Sequence, residues 1–123
     1  MAGSYLLVVD DDPGISALLL MVLERGGWQA RVSHDGAEAL EIARAEPPDA
    51  LLVDMWMPGM NGAQLVRELG AEPALAQVPV IITTGDSRAP DVPGIFATLT
   101  KPFRIPALYR TVRAALKHRQ GKC

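Results

Sequence analysis

The feature that most restricts the fold is the run Ala50 to Val53, unbroken and apolar, with Pro47 and Pro48 before it and Asp54 closing it. A run this short, with no polar alternation, is the pattern of a strand covered on both faces, as in a parallel sheet. A carboxylate at its end then stands at the carboxyl edge of that sheet, where open α/β folds place their chemistry. Met57-Pro58-Gly59-Met60-Asn61-Gly62 follows and reads as a tight turn and loop before a helix. Taken alone, Asp54 could equally start the turn or cap the helix, so the decision falls to the rest of the chain.

The same arrangement recurs on either side. Tyr5 to Val9 is apolar and is followed at once by Asp10, Asp11 and Asp12. Adjacent carboxylates repel one another, so their clustering needs a reason. Asp12 before Pro13 suits a helix N-cap with proline at the first helical position, which leaves Asp10 and Asp11 unexplained. A hard cation such as Mg²⁺, which takes a few carboxylates and keeps some waters, would account for both. Ile15, Leu18, Leu19, Val22 and Leu23 then recur at helical spacing, predicting an amphipathic helix from 13 to about 25 that stops at Gly26-Gly27. Trp28 to Ser33 reads as a shorter strand near an edge. Asp35 could cap a second helix with Ala39, Leu40, Ile42 and Ala43 inward, ended by Pro47-Pro48. Leu65, Val66 and Leu69 mark a third helix over 62 to about 70. Val78 to Thr84 is a fourth buried strand and Ile95 to Thr100 a short fifth, followed by Lys101-Pro102-Phe103. A final helix has Pro106 near its start and Leu108, Val112, Ala115 and Leu116 on one face. Strands alternating with helices imply a parallel sheet flanked on both sides. His34 and His118 have no histidine or cysteine partner at ligand spacing and read as exposed.

With 123 residues, 49% apolar and 21% charged, the chain fits one globular domain. Its net charge of −2 makes no case for nucleic-acid binding, and the basic residues are scattered until the last helix. The one cysteine, Cys123, excludes an internal disulfide and fits a reducing compartment. No apolar stretch approaches the roughly 20 residues that span a bilayer, and the N-terminus lacks the basic region of a signal peptide. A cytoplasmic domain is the expectation.

Strand ends at Asp10/Asp11, Asp54, Thr84 and Lys101 would meet on one edge of such a sheet. Acidic groups there bind Mg²⁺, a carboxylate attacks phosphorus, and a hydroxyl with an ammonium neutralises phosphoryl oxygens. Each residue has an ordinary structural explanation alone, but their joint placement does not. On these residues the sequence resembles the receiver domain of bacterial two-component response regulators, the chemotaxis-protein type of flavodoxin-like fold. The resemblance runs from about Tyr5 to Arg119 within a single domain spanning 1–123. It is carried by Leu-Val-Val-Asp-Asp-Asp-Pro at 7–13, Leu-Val-Asp-Met-Trp-Met-Pro-Gly-Met-Asn-Gly at 52–62, Val-Ile-Ile-Thr-Thr-Gly at 80–85 and Leu-Thr-Lys-Pro-Phe at 99–103.

The resemblance implies a doubly wound five-stranded parallel sheet in the order 2-1-3-4-5. It implies that Asp54 accepts a phosphoryl group from a histidine kinase or phosphotransfer protein. Asp11 and Asp54 would ligate Mg²⁺ directly and Asp10 through water, with the backbone carbonyl of Trp56 completing the protein ligands. Thr84 and Lys101 would contact the phosphoryl oxygens, and the bond before Pro102 would be cis. The protein would be a signalling switch with no classical turnover, acting on a downstream protein or effector domain rather than on nucleic acid or membrane.

Two departures from the family pattern stand out. Thr98 occupies the place of the usual fifth-strand tyrosine or phenylalanine, with Phe96 two positions away and on the same face if pairing is regular. Only 16 residues separate Thr84 from Lys101, Pro90 and Pro93 among them, so the fourth of five helices is expected to be short, distorted or disordered. Trp56, two residues past the acceptor, would obstruct the water that hydrolyses an acyl phosphate, while Asp86 could help orient it. A phosphorylation-independent scaffold is one alternative. A haloacid-dehalogenase-type phosphatase is another, through the Asp-x-Asp spacing of Asp10 and Asp12, although Gly14 breaks that motif and Asp54 would then be idle.

Overall fold

Three apolar runs become the buried central strands of one sheet, and helices fill the spacing between them. The computed structural model describes residues 4–85 and 92–120, without the side chains of 119 and 120. The elements are β1 (Leu6–Val9), α1 (Pro13–Arg25), β2 (Ala30–Ser33), α2 (Gly36–Ala45), β3 (Ala50–Asp54), α3 (Gly62–Gly70), β4 (Val80–Thr84), β5 (Ala97–Thr100) and α4 (Ile105–Gln120). The five strands are all parallel, in the order β2-β1-β3-β4-β5. This is the doubly wound architecture expected from the sequence.

Side chains alternating along each strand feed two cores. Leu7, Val9, Leu51, Val53, Val80 and Ile82 meet Ala39, Leu40 and Ala43 of α2 and Leu65, Val66 and Leu69 of α3. Leu6, Val8, Ala50, Leu52, Ile81 and Leu99 meet Leu19, Val22 and Leu23 of α1 and Leu108, Val112 and Ala115 of α4. The central strands are buried along their length save for Asp54 at the end of β3, which is why their apolar runs show no polar alternation.

Caps fix where the helices begin. The Asp12 carboxylate accepts from the Gly14 and Ile15 N–H groups at 2.9 and 3.2 Å, with Pro13 at the first helical position. Asp35 accepts from Glu38 N–H at 2.7 Å. Asn61 and Gln64 form a reciprocal capping box, each side chain bonded to the other's backbone N–H at 2.9 Å.

Three expectations are adjusted. Leu18, assigned inward on α1, is 51% exposed, because the helix lies on one layer and its apolar stripe is wider than the surface it covers. Strands β4 and β5 begin two residues later than their apolar runs. Phe96 therefore precedes β5; its ring packs with the α1/α4 core and lies 5.2 Å from His118. Thr98 pairs with Ile82, a residue of the opposite core, so Phe96 and Thr98 do not share a face. Between β4 and β5 the described residues, Gly85 and Val92–Phe96, contain no helix; Asp86 and the rest of the expected fourth helix lie outside the described residues.

Candidate functional site

Parallel strands deliver their last residues to one edge, and here that edge is acidic. Asp10 follows β1, Asp54 ends β3, and these two with Asp11 bring carboxylate oxygens within 4.8 Å of one another. Asp10 is 1% exposed. It stays there because the Asp12 N–H donates to its Oδ1 at 2.9 Å and Lys101 Nζ lies 3.4 Å from its Oδ2. The same ammonium is 3.6 Å from Asp54 Oδ1, to which the Trp56 N–H donates at 3.3 Å. Lys101 thus joins β5 to the ends of β1 and β3.

Burial is the largest influence on Asp54 and raises its pKa above the ordinary carboxylate value. Lys101 and the Trp56 N–H oppose that rise; Asp10 and Asp11 add to it by like-charge repulsion.

The loop after β3 is closed tightly around this site. Gly59 has φ +72°, a left-handed turn that glycine adopts without strain. The Gly62 N–H donates to the Met55 carbonyl at 3.0 Å, and a Cβ at Gly62 would lie 2.9 Å from Met55 Cα and 3.0 Å from the Asp54 carbonyl oxygen. Only glycine lets the start of α3 approach the end of β3 this closely.

Thr84 is buried at the end of β4, one residue beyond the partner of Asp54, and its carbonyl accepts the Lys101 N–H at 2.7 Å. The Lys101–Pro102 peptide bond is cis. The Trp56 indole is 61% exposed at the rim. Thr98 is half-buried on β5, and Phe96 faces away from this edge toward the other core.

Sequence reasoning missed two features. His34 is exposed, yet its Nδ1 lies 3.2 Å from the Asp10 carbonyl oxygen; a lone histidine in a loop gives no sign of this. Beside Lys101, the residues Ile15, Leu18, Leu19, Pro102 and Phe103 line an open apolar cavity of about 350 Å³.

The donor set consists of hard carboxylate oxygens, which suits a divalent cation of the Mg²⁺ type and not a soft metal. Three carboxylates this close, with one ammonium among them, retain negative charge for such an ion to neutralise.

Comparison with known proteins agrees with this arrangement. The family model for the response regulator receiver domain matches residues 6–113. The chain is 37% identical over 116 residues to protein PilH of Pseudomonas aeruginosa, covering 90% of this chain and 96% of that one. It is 36% identical over 122 residues to the DNA-binding response regulator MtrA of Mycolicibacterium smegmatis, covering 95% of this chain but 52% of MtrA. The chain thus spans about half the length of that relative. Among solved structures, the receiver domain of a Pseudomonas aeruginosa sensor histidine kinase superposes with a TM-score of 0.87 at 27% identity, covering 94% of this chain and 99% of that one. That structure has a magnesium ion coordinated in the active site cleft. The chemotaxis protein CheY4 of Vibrio cholerae superposes with a TM-score of 0.84 at 26% identity, covering 94% and 100%. The sheet order, the acidic edge and the family match coincide over the same residues, and the chain belongs to the response regulator receiver domains of two-component signalling.

Proposed function

We propose that the chain works as one receiver domain, core about 5–119, that is phosphorylated on Asp54 by a histidine kinase or phosphotransfer protein. The observation that carries this reading is the placement of Asp54 within reach of both Lys101 and the other two carboxylates. In the step, an Asp54 oxygen bonds to the phosphorus of a phosphohistidine while the P–N bond breaks and the imidazole nitrogen takes a proton. Lys101 and the Trp56 N–H both approach Oδ1, so Oδ2 is the oxygen we assign to attack. Lys101 and Thr84 receive the charge of the phosphoryl oxygens. Asp11 and Asp54 would hold Mg²⁺ directly, with Asp10 through water and the Trp56 carbonyl completing the protein ligands. Bound there, the ion would supply charge neutralisation for the incoming phosphoryl group.

The apolar cavity lined by Ile15, Leu18 and Phe103 next to Lys101 gives an incoming donor protein a surface beside the acceptor. The modified domain would change its affinity for a downstream protein or an attached effector domain and would act in the cytoplasm. No described helix is long and apolar enough to cross a membrane. Thr98 and Phe96 face different cores, so a switch that couples them through one shared face is not the mechanism we assign.

The test is intact-protein mass after incubation with Mg²⁺ and acetyl phosphate or phosphoramidate, beside Asp54→Asn. We expect a gain of one phosphoryl group (about 80 Da from its composition, the chemistry of) that needs Mg²⁺ and is absent from the variant. Equal gain by parent and variant would place the modification elsewhere. No gain, together with no Mg²⁺ binding, would favour a phosphorylation-independent scaffold.

A further inference from the structure

Charge is segregated along this chain in a way the phosphorylation site does not use. Seven of the twelve Lys and Arg residues, and none of the fourteen Asp and Glu residues, lie from Lys101 onward. The last acidic residue is Asp91. The modest net charge of −2 therefore conceals an acidic body joined to a basic C-terminal element.

On α4 the cations are also ordered in space. Leu108, Val112 and Ala115 are buried against the sheet. Arg110, Arg113 and Lys117 fall at i, i+3 and i+7 on the opposite side, all exposed, and form one stripe about 10 Å long. No ion pair joins any of them to the described residues, whereas Arg31 and Arg44 pair with Glu46 and Glu72 at 2.9 and 2.7 Å. Three like charges held on one face repel one another, and of the three only Lys117, in the last turn, gains from the helix dipole.

We propose that this face of α4 docks an acidic segment of a partner protein. Complementary charge is the argument, and three observations narrow the occupant. A two-fold dimer through α4 would set each stripe against its own copy and so against like charge. A membrane-bound helix needs large apolar residues at its free surface; those of α4 on the inner side are spent on the core, and Ile105 is the only large apolar residue exposed on α4 among the described residues. A nucleic acid would extend beyond a 10 Å stripe and meet the acidic body. A short acidic segment matches the stripe and avoids that repulsion. The proposal does not depend on Asp54 being the phosphoryl acceptor.

The test is fluorescence anisotropy of a labelled Glu-rich helical peptide titrated with the full chain at about 20 mM and about 150 mM salt, where screening differs strongly. A labelled DNA duplex of arbitrary sequence is titrated in parallel. The variant set is Arg110→Gln, Arg113→Gln and Lys117→Gln together, compared with a charge-matched control carrying Arg31→Gln, Arg44→Gln and Arg67→Gln. Circular dichroism establishes that both fold. We expect saturable peptide binding that weakens with salt, a roughly tenfold loss in the α4 variant, and little change in the control. Absence of peptide binding at low salt, equal loss in both variants, or tighter binding of the duplex than of the peptide would each overturn the proposal.

Discussion

Replacing Asp54 by Asn should stabilise the protein, although it removes a group that pairs with a lysine. The carboxylates of Asp10 and Asp11 lie within 4.8 Å of Asp54, and Lys101 Nζ lies 3.6 Å away. At an effective dielectric of about 20, each carboxylate repels Asp54 by about 3.5 kcal/mol and Lys101 attracts it by about 4.6 kcal/mol. Those pair figures are upper limits that nearly offset one another, because Lys101 is the strongest of them and the Trp56 N–H adds to its side. Burial of the charge therefore decides the sign, at a cost of about 1 kcal/mol for a carboxylate held in this partly covered site. Asn keeps the shape and an oxygen for the Trp56 N–H while removing the charge.

In EDTA at neutral pH, Asp54→Asn should therefore melt roughly 4 °C above the parent, since 1 kcal/mol corresponds to about 4 °C for a domain of this size. The gain must also depend on pH. The folded-state pKa of Asp54 is raised above its ordinary value of 3.8. The stability this implies is fully present below the unfolded pKa and is lost as pH rises through the folded one. Asn does not titrate, so the variant's advantage should vanish in acid, grow through that window and level off above it. Thermal melts followed by circular dichroism across the acid range measure both features. An unchanged or lower midpoint at neutral pH, or an advantage that persists undiminished in acid, would refute the electrostatic account of the site.

Gly62→Ala should destabilise by about 1–3 kcal/mol, because the added Cβ meets the Met55 backbone and the Asp54 carbonyl at 2.9 and 3.0 Å and neither can yield cheaply; chemical denaturation measures it. If Asp54 carries the phosphoryl group as proposed, Trp56→Ala should shorten the lifetime of the phosphorylated protein, since it clears an exposed indole from the rim two residues past Asp54. Mass spectrometry of the decay, compared with the parent, checks this, and an equal lifetime would remove the indole from the account. Tyr109→Phe should cost about 1 kcal/mol through loss of the 2.7 Å hydrogen bond from the Tyr109 hydroxyl to the Val22 carbonyl, read as a lower melting midpoint.

Much of this fold is legible because its strands are buried on both faces. The strands within the runs from Ala50 to Val53 and from Val78 to Thr84 need no tertiary information to be recognised, although the second starts only at Val80, since a short apolar run between breakers has few other uses. The helix starts are legible for a similar reason: Asp12, Asp35 and Asn61 act on N–H groups two or three residues away. The Asn61–Gln64 capping box was also open to detection from its spacing. Leu18 was not, because periodicity defines an apolar stripe on a helix but says nothing of how wide a surface the sheet offers to cover it.

The site divides along the same line. Which residues end the strands is a local fact, and Asp10, Asp54, Thr84 and Lys101 are all identified by it. Their proximity is not local, because Lys101 and Asp10 are 91 residues apart and meet only through the strand order β2-β1-β3-β4-β5. Short apolar runs alone are compatible with several orders, and it is the family resemblance that selects this one. Phe96 shows where even the resemblance stops. Extending the β5 alternation backwards puts Phe96 beside Thr98, but regular pairing in β5 starts at Ala97. One residue outside that pairing, the ring is free to turn to the other core and rest near His118. A side chain's face follows from the period of two only as far as the strand itself extends.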